Sequence, residues 1–317
     1  MHARSDIARL AMLAIGAALV ATTVGAWDLA APRFPEPLPP PIAVEPASGE
    51  PPPEPDQAAT FEDQVMELVN QQRWSNGQLA PLSRCALLDT SSETHSVNMG
   101  VRSFFAHCDP DTLTMPWDRM VAAGYSYSSA AENIAAGYST PAAVVAGWMA
   151  SSGHRANILS TSYRELGIGY HYDSGDTGNV RLDANGDCTP DGSGGPYYHY
   201  WTQNFGLRSV VYPVVIDREA HQTATVDVDL YLYGTGWATE MRIRNSGGVW
   251  TAWHPFVANV AWQLAPGPGV RQVEVEIRSG TTVRSASDTI LSTAPDDVIF
   301  ADGFNSGTTG AWTAVVP

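Results

Sequence analysis

Positive charge is scarce in this chain. Its 317 residues carry 17 Lys and Arg against 33 Asp and Glu, a formal net charge of −16. Such a balance repels phosphate backbones and anionic lipid surfaces and argues against nucleic acid as a partner. Cysteine is scarce too: Cys85, Cys108 and Cys188 allow one internal disulfide, leave one thiol over, and are not spaced as a zinc knuckle. After the first residues there is no apolar run long enough to cross a bilayer. Also missing are a Gly-x-Ser-x-Gly elbow, a His-Glu-x-x-His pair and a glycine loop that would cradle phosphate, so no nucleophile can be named.

What is present falls into blocks. Residues 1–26 have the layout of a secretory signal peptide, with Arg4 and Arg9 ahead of an apolar run that ends in Val24, Gly25 and Ala26. The alternative, an uncut membrane anchor, suits the run from Leu10 to Ala26 less well, because it is short and lacks a basic stop-transfer flank. Residues 27–59 are rich in proline and acid, cannot bury a core, and read as an extended spacer.

The first globular block covers residues 60–207. FEDQVMELVNQQRW places Phe61, Val65, Leu68, Val69 and Gln72 at helical spacing, and CALLDTSSETHSVNMG does the same with Leu88, Ser92, His95 and Met99. STPAAVVAGWMASSG predicts a third helix with Thr140 as cap, Pro141 as first residue and Gly153 as stop, facing Val144, Val145, Trp148 and Met149 inward. ELGIGYHY and YYHYWTQNFGL read as strands, the second with Tyr197, His199, Trp201, Gln203 and Phe205 on one side. Helices followed by strands imply an α+β layered domain.

From residue 208 to 292 the pattern changes to period two. ATVDVDLYLYG, EMRIRNSG and RQVEVEIRSG alternate apolar and polar residues between turns, as in a small antiparallel β-sandwich, with Trp250, Trp253 and Trp262 expected in its core or at its edge. Residues 293–317 form an appendage without periodicity.

Four residues of the first block sit beside element ends and near glycine or proline, where sites tend to be built: His107 in FFAHCDP, Glu132 in AENIAAG, His154 in SSGHRANIL and Glu165 in YRELGIG. Their spacing proves no common site, and each is equally readable as a satisfied buried group. A second feature is RLDANGDCTPDGSGG, where Asp183, Asn185, Asp187 and Asp191 recur at short intervals. Its glycine falls at the fourth loop position and Gly194 stands where a calcium loop needs Glu, so it reads as a solvated acidic loop rather than a calcium site.

ENIAAG, GHRANIL, ELGIGY and HYWTQNFG, in this order, resemble the CAP superfamily of cysteine-rich secretory proteins, antigen 5 and plant pathogenesis-related 1 proteins, in its bacterial SCP-like branch. The resemblance implies a three-layer α-β-α sandwich and a central cleft lined by His107, Glu132, His154 and Glu165. Such a cluster either holds a divalent cation such as zinc, with the carboxylates as ligands or second-shell braces, or works as an acid and base pair, or pins loops. The resembled fold brings the last strands near the cleft, which pairs Cys108 with Cys188 and leaves Cys85 free. MRIRNSGGVWTAWHPFVANVAWQL resembles immunoglobulin-like or fibronectin III-like modules of secreted bacterial proteins, and IFADGFNSGTTGAW resembles a tail that would serve sorting or surface retention.

Three functions follow as expectations. The first is a secreted protein, extracellular, periplasmic or at the cell surface, that binds a small lipid-like or peptide ligand in the cleft. The second is a metal-assisted hydrolase of envelope or extracellular polymers, with His107 and His154 as ligands and Glu132 or Glu165 as base. The third is a structural or adhesive protein whose sandwich contacts cells or wall material.

Overall fold

The computed structural model describes residues 58–295; the expected signal peptide, most of the spacer and most of the tail lie outside the described residues. The N-terminal unit runs α1 (Phe61–Ser75), β1 (Ser83–Arg84), α2 (Ala86–Val101), β2 (Phe104–Phe105), α3 (Pro116–Ala122), β3 (Ser129–Ala136), α4 (Pro141–Ala150), α5 (Ser152–Leu159), β4 (Glu165–Tyr172), β5 (Val180–Leu182), β6 (Gly192–Gly194) and β7 (His199–Leu207).

Local chemistry sets the helix starts. Thr60 and Asp63 form a reciprocal capping box at α1, and Thr140 accepts the Ala143 N–H at α4, where Pro141 takes the first helical position. Gly153 does not stop the third predicted helix. The chain breaks at Ser151, which is extended (ψ 126°), and Gly153 lies inside a second short helix, α5.

A mixed sheet ordered β1-β4-β7-β3 forms the middle layer. On one face α1, α4 and α5 bury Val65, Val69, Val144, Trp148 and Ile158 against Leu166, Ile168, Trp201 and Phe205 of the sheet. On the other, α2 lies directly on β4. A Cβ at Gly167 would sit 2.1 Å from the Leu88 carbonyl carbon, and one at Gly169 2.2 Å from the Glu93 nitrogen, so only glycine allows this approach. Ser92 and Ser96 then donate to the Gly167 and Gly169 carbonyls at 3.2 and 3.0 Å, which satisfies polar groups that the contact buries. A small sheet, β2-β5-β6, stands at the margin.

The C-terminal unit contains β8 (Val214–Ile216), β9 (Gln222–Thr223), β10 (Asp227–Leu232), β11 (Glu240–Asn245), β12 (His254–Pro255), β13 (Asn259–Gln263), β14 (Gly269–Ser279) and β15 (Thr282–Ser292). Sheets β13-β10-β8 and β12-β11-β14-β15-β9 enclose one core that includes Ile216, Leu230, Ile243, Val275 and Ile290. Trp262 packs against that core. Trp250 and Trp253 do not: Arg242 stacks on both rings at 4.8 Å, Arg244 on Trp250 and Arg278 on Trp253. Guanidinium groups on the polar face of neighbouring strands hold these indoles outside.

The two units are joined by specific contacts. Arg164 donates to the Val211 carbonyl at 2.7 Å and Tyr233 to the Pro81 carbonyl at 2.9 Å. His221 bridges α1 and β15, the first helix and last strand of the described residues: its N–H donates to Glu67 of α1, its ring pairs with Asp63 at 3.3 Å, and its carbonyl accepts the Leu291 N–H. Among the described residues no helix is long and apolar enough to cross a membrane.

Candidate functional site

Glu132 lies on β3, opposite Asn204 of β7, and faces α2 and α3. Its side chain is 1 % exposed. Arg119 of α3 donates to Oε2 at 2.7 Å, and His107 Nδ1 meets Oε1 at 2.8 Å. Burial alone would raise the Glu132 pKa, but the charge of Arg119, helped by His95 and His107, outweighs it and holds the carboxyl at about 2. An ionised carboxylate only accepts, so His107 carries a proton on Nδ1; the neutral form of the ring then has its lone pair on Nε2. The His107 side chain is 28 % exposed.

His154 stands in the first turn of α5, which Asn133 fastens by donating to the His154 carbonyl at 3.2 Å. Asn157 donates to Asn133 Oδ1 at 2.9 Å, and Arg155 to the Met149 carbonyl at 3.2 Å, so both brace the helix. Burial, then the neighbouring His107, lower the His154 pKa to about 4, and the ring is neutral near pH 7.

Glu165 departs from the expected four-residue cleft. It begins β4 opposite Gly206 of β7, on the same face as Glu132 but two strands across and two residues along, roughly 12 Å away by strand geometry. Both its oxygens are taken: Tyr125 donates to Oε2 at 2.8 Å, and Arg208 grips it through Nε at 3.0 Å and through a second nitrogen. Arginine across the sheet, rather than the histidines, decides where this carboxylate points.

Sequence reasoning did not select Arg119 or assign a role to His95. His95 is fully buried beside this group, donates through Nε2 to the Ala106 carbonyl at 2.9 Å, and is held neutral by burial and Arg119, with its pKa at about 3. Beneath the site His95 Nδ1, Arg119 Nε and Asn204 Oδ1 have no hydrogen-bond partner among the described residues.

The residues do not fit a resident zinc ion. Even an open zinc site takes three protein ligands, whereas Glu132 and Glu165 both spend their oxygens on arginine and a second donor. Only the two imidazoles remain, and among the described residues no group of three His, Cys, Asp or Glu is placed to hold a metal. In the acidic loop, Asp183 accepts the Gly186 and Cys188 N–H groups at 2.7 and 2.8 Å, Asn185 accepts Asp187 N–H, Asp187 accepts Thr189 N–H, and Asp191 accepts Ala184 N–H. These side chains cap the loop's own amides. Cys108 and Cys188 are joined with Cα atoms 5.4 Å apart, and Cys85 is a buried free thiol.

The model of the Cysteine-rich secretory protein family, CAP, matches residues 66–205, the span that holds the sheet, the helices and the histidine pair. Those residues are similar to a CAP domain. Uncharacterized protein YkwD of Bacillus subtilis (strain 168) is 40% identical to the chain over 116 residues, 37% of this chain and 44% of YkwD. Uncharacterized membrane protein YlbC of the same organism is 33% identical over 110 residues, 35% of this chain and 31% of YlbC. The chain thus spans less than half the length of these curated relatives. Among solved structures, an extracellular protein containing a SCP domain from Bacillus anthracis str. Ames is 27% identical with a TM-score of 0.37, covering 47% of this chain and 40% of that one. An outer surface protein of Borrelia burgdorferi is 17% identical with a TM-score of 0.36, covering 47% of this chain and 94% of that one.

Proposed function

We propose that the CAP domain is an extracellular binding module that takes a small amphipathic ligand, lipid-like or peptide, at His107 and His154. The supporting observation is the doubly held Glu132. It fixes the proton of His107 on Nδ1 and orients that ring, next to a second imidazole, His154, that stays neutral. A neutral imidazole acceptor beside an oriented ring suits a hydroxyl or amide N–H donor on the ligand. Apolar area lies near by: Leu113, Trp117 and Val121 are exposed at four-residue spacing along α3 and the loop before it. The Cys108–Cys188 disulfide supports an oxidising compartment. The two antiparallel sheets over a single core support reading the C-terminal unit as an immunoglobulin-like or fibronectin III-like module.

Glu132 is a poor candidate for a general base, because protonating it means breaking its pairing with Arg119. The binding reading is tested by native mass spectrometry of the protein as secreted, together with zinc calorimetry on wild type and His154→Ala. The expected result is a co-purifying amphipathic molecule lost in His154→Ala, with no zinc binding tighter than millimolar. Micromolar zinc binding that His154→Ala abolishes would replace this reading with the metal one.

A further inference from the structure

Strands β4 and β7 carry a row of rings on the face that α1 packs against. Trp201 stands opposite Tyr170, and His199 opposite Tyr172. The rings follow in series, with centres 4.2 Å apart from Trp201 to Tyr170, 6.0 Å from Tyr170 to His199 and 5.0 Å from His199 to Tyr172. The Tyr170 hydroxyl meets His199 Nδ1 at 2.9 Å, which fixes the middle of the row. Helix α1 runs antiparallel to β4: Asn70 donates to the Leu82 carbonyl beside the start of β4, while Phe61 packs on Tyr170 at 5.1 Å and stacks on Trp201 at 5.8 Å. The helix therefore begins above Tyr170 and does not reach the last cross-strand pair. Tyr172 is 53 % exposed there.

What enters α1 at this end is the proline-rich segment, which reads EPPPEPDQAAT over residues 50–60. A polyproline II chain repeats every three residues, so Pro52, Pro55 and Ala58 share one edge of it, and Glu50, Glu54 and Asp56 fall on the other two. That gives the segment one apolar edge and two polar ones. From Pro55 to Phe61 the chain spans up to about 19 Å at polyproline II rise, whereas Tyr172 lies only about 7 Å along β4 from Tyr170. The prolines reach the open pair of rings with length to spare.

We propose that Tyr172 and His199 form a docking site for this chain's own proline-rich segment, residues 51–55, which lies across the two rings with Pro52 and Pro55 against them. Proline rings pack on aromatic faces, and a polyproline II chain loses little entropy when it is held. The choice of occupant follows from where the segment joins the fold: it enters α1 at Phe61, whose own ring already lies on the same row. Glu62 places negative charge near Tyr170, so the acidic edges of the segment are turned away and the proline edge is the one that fits. Tethering gives a local concentration in the millimolar range, enough for a contact of two rings to form. Docking continues the cover that α1 begins, and the spacer then starts from the side of the N-terminal unit instead of from the end of the helix.

NMR of the full chain tests this through nuclear Overhauser contacts between the Tyr172 and His199 rings and proline ring protons. The contacts are expected in the wild type, lost when Pro52→Gly and Pro55→Gly are combined, and kept when Pro39→Gly and Pro40→Gly are combined. Cleavage before Asp56 by an aspartate-directed protease is expected to speed up about threefold or more in Tyr172→Ser, because the undocked segment is the one that is cut. Absence of the contacts in the wild type would overturn the proposal, as would equal cleavage of wild type and Tyr172→Ser. Contacts that fade on dilution would assign the rings to a second copy's segment and overturn docking within one chain. If Tyr172→Ser fails to fold, the proline variants decide, since they alter only the segment before α1.

Discussion

Arg119 is 7 % exposed and its one strong ionic partner is the buried carboxylate of Glu132. Replacing it by methionine leaves that charge with the His107 ring as its remaining side-chain partner, and breaking a buried pair in this way costs about 3–5 kcal/mol. Urea unfolding of Arg119→Met should show that loss, and adding Glu132→Gln should restore part of it, because the double variant buries no unpaired charge. His154 gives a separate reading. A ring whose folded pKa lies near 4 binds fewer protons folded than unfolded between pH 4 and 6.5. Its contribution to stability is therefore present above pH 6.5 and lost as pH falls towards 4. NMR titration of the His154 ring should find a midpoint near 4 rather than near the unperturbed value. At this scale the sequence made His107, Glu132 and His154 legible through their motifs. Arg119 was hidden because α3 has only seven residues; its one signal is the inward spacing of Pro116, Arg119 and Met120. Glu165 was misplaced because its direction depends on Arg208, 43 residues away, which no local pattern reveals.

The contact of α2 with β4 is the tightest joint between elements. Gly167→Ala would place a methyl group against backbone that cannot swing aside, so a loss of about 3 kcal/mol or more in thermal or urea unfolding is expected, at the upper end for overpacking. The Cys108–Cys188 link closes a loop of 80 residues that includes α3, β3, α4, α5 and β4. Cys108→Ser with Cys188→Ser should cost about 4 kcal/mol by the chain-entropy relation, measured against the oxidised protein in the same denaturant series. Helix α1 was readable because its cap and apolar spacing agree, and α2 and β4 through the spacing alone, since α2 starts at Cys85 without a side-chain cap. The break between α4 and α5 was not, since Ser151 is extended while Gly153 stays helical. Trp250 and Trp253 were expected in the core or at its edge; cation-π stacking on Arg242, Arg244 and Arg278 places them outside the core.

Across the whole molecule two pH dependences run in opposite directions. The N-terminal unit buries neutral His95 and His154 and an ionised Glu132, and all three groups favour the folded state less as pH falls. In the C-terminal unit Glu219 and Asp288, whose carboxyl pKa burial raises, gain from the same change. Thermal unfolding followed across pH should therefore show the N-terminal unit losing stability below about pH 6 before the C-terminal unit does. Calorimetry that resolves two transitions would check it. The change of pattern near residue 208 falls beside the end of β7 at Leu207. The contacts across that boundary were not legible, because Asn70 and Arg218 stand 148 residues apart and meet only when both units are folded.

His221 has a further consequence for how the molecule can be rebuilt. By touching both the first turns of α1 and the last residues of β15, it brings the two ends of the folded body to one place. A short connection from Pro295 to Ala58 would then join them, and the exposed turn at Gly247 and Gly248 offers a point at which to open new ends. The order of the two units along the chain is thus separable from their arrangement in space. A circularly permuted protein would keep both cores and the imidazole pair while moving the sites of attachment from beside His221 to the Gly247–Gly248 turn.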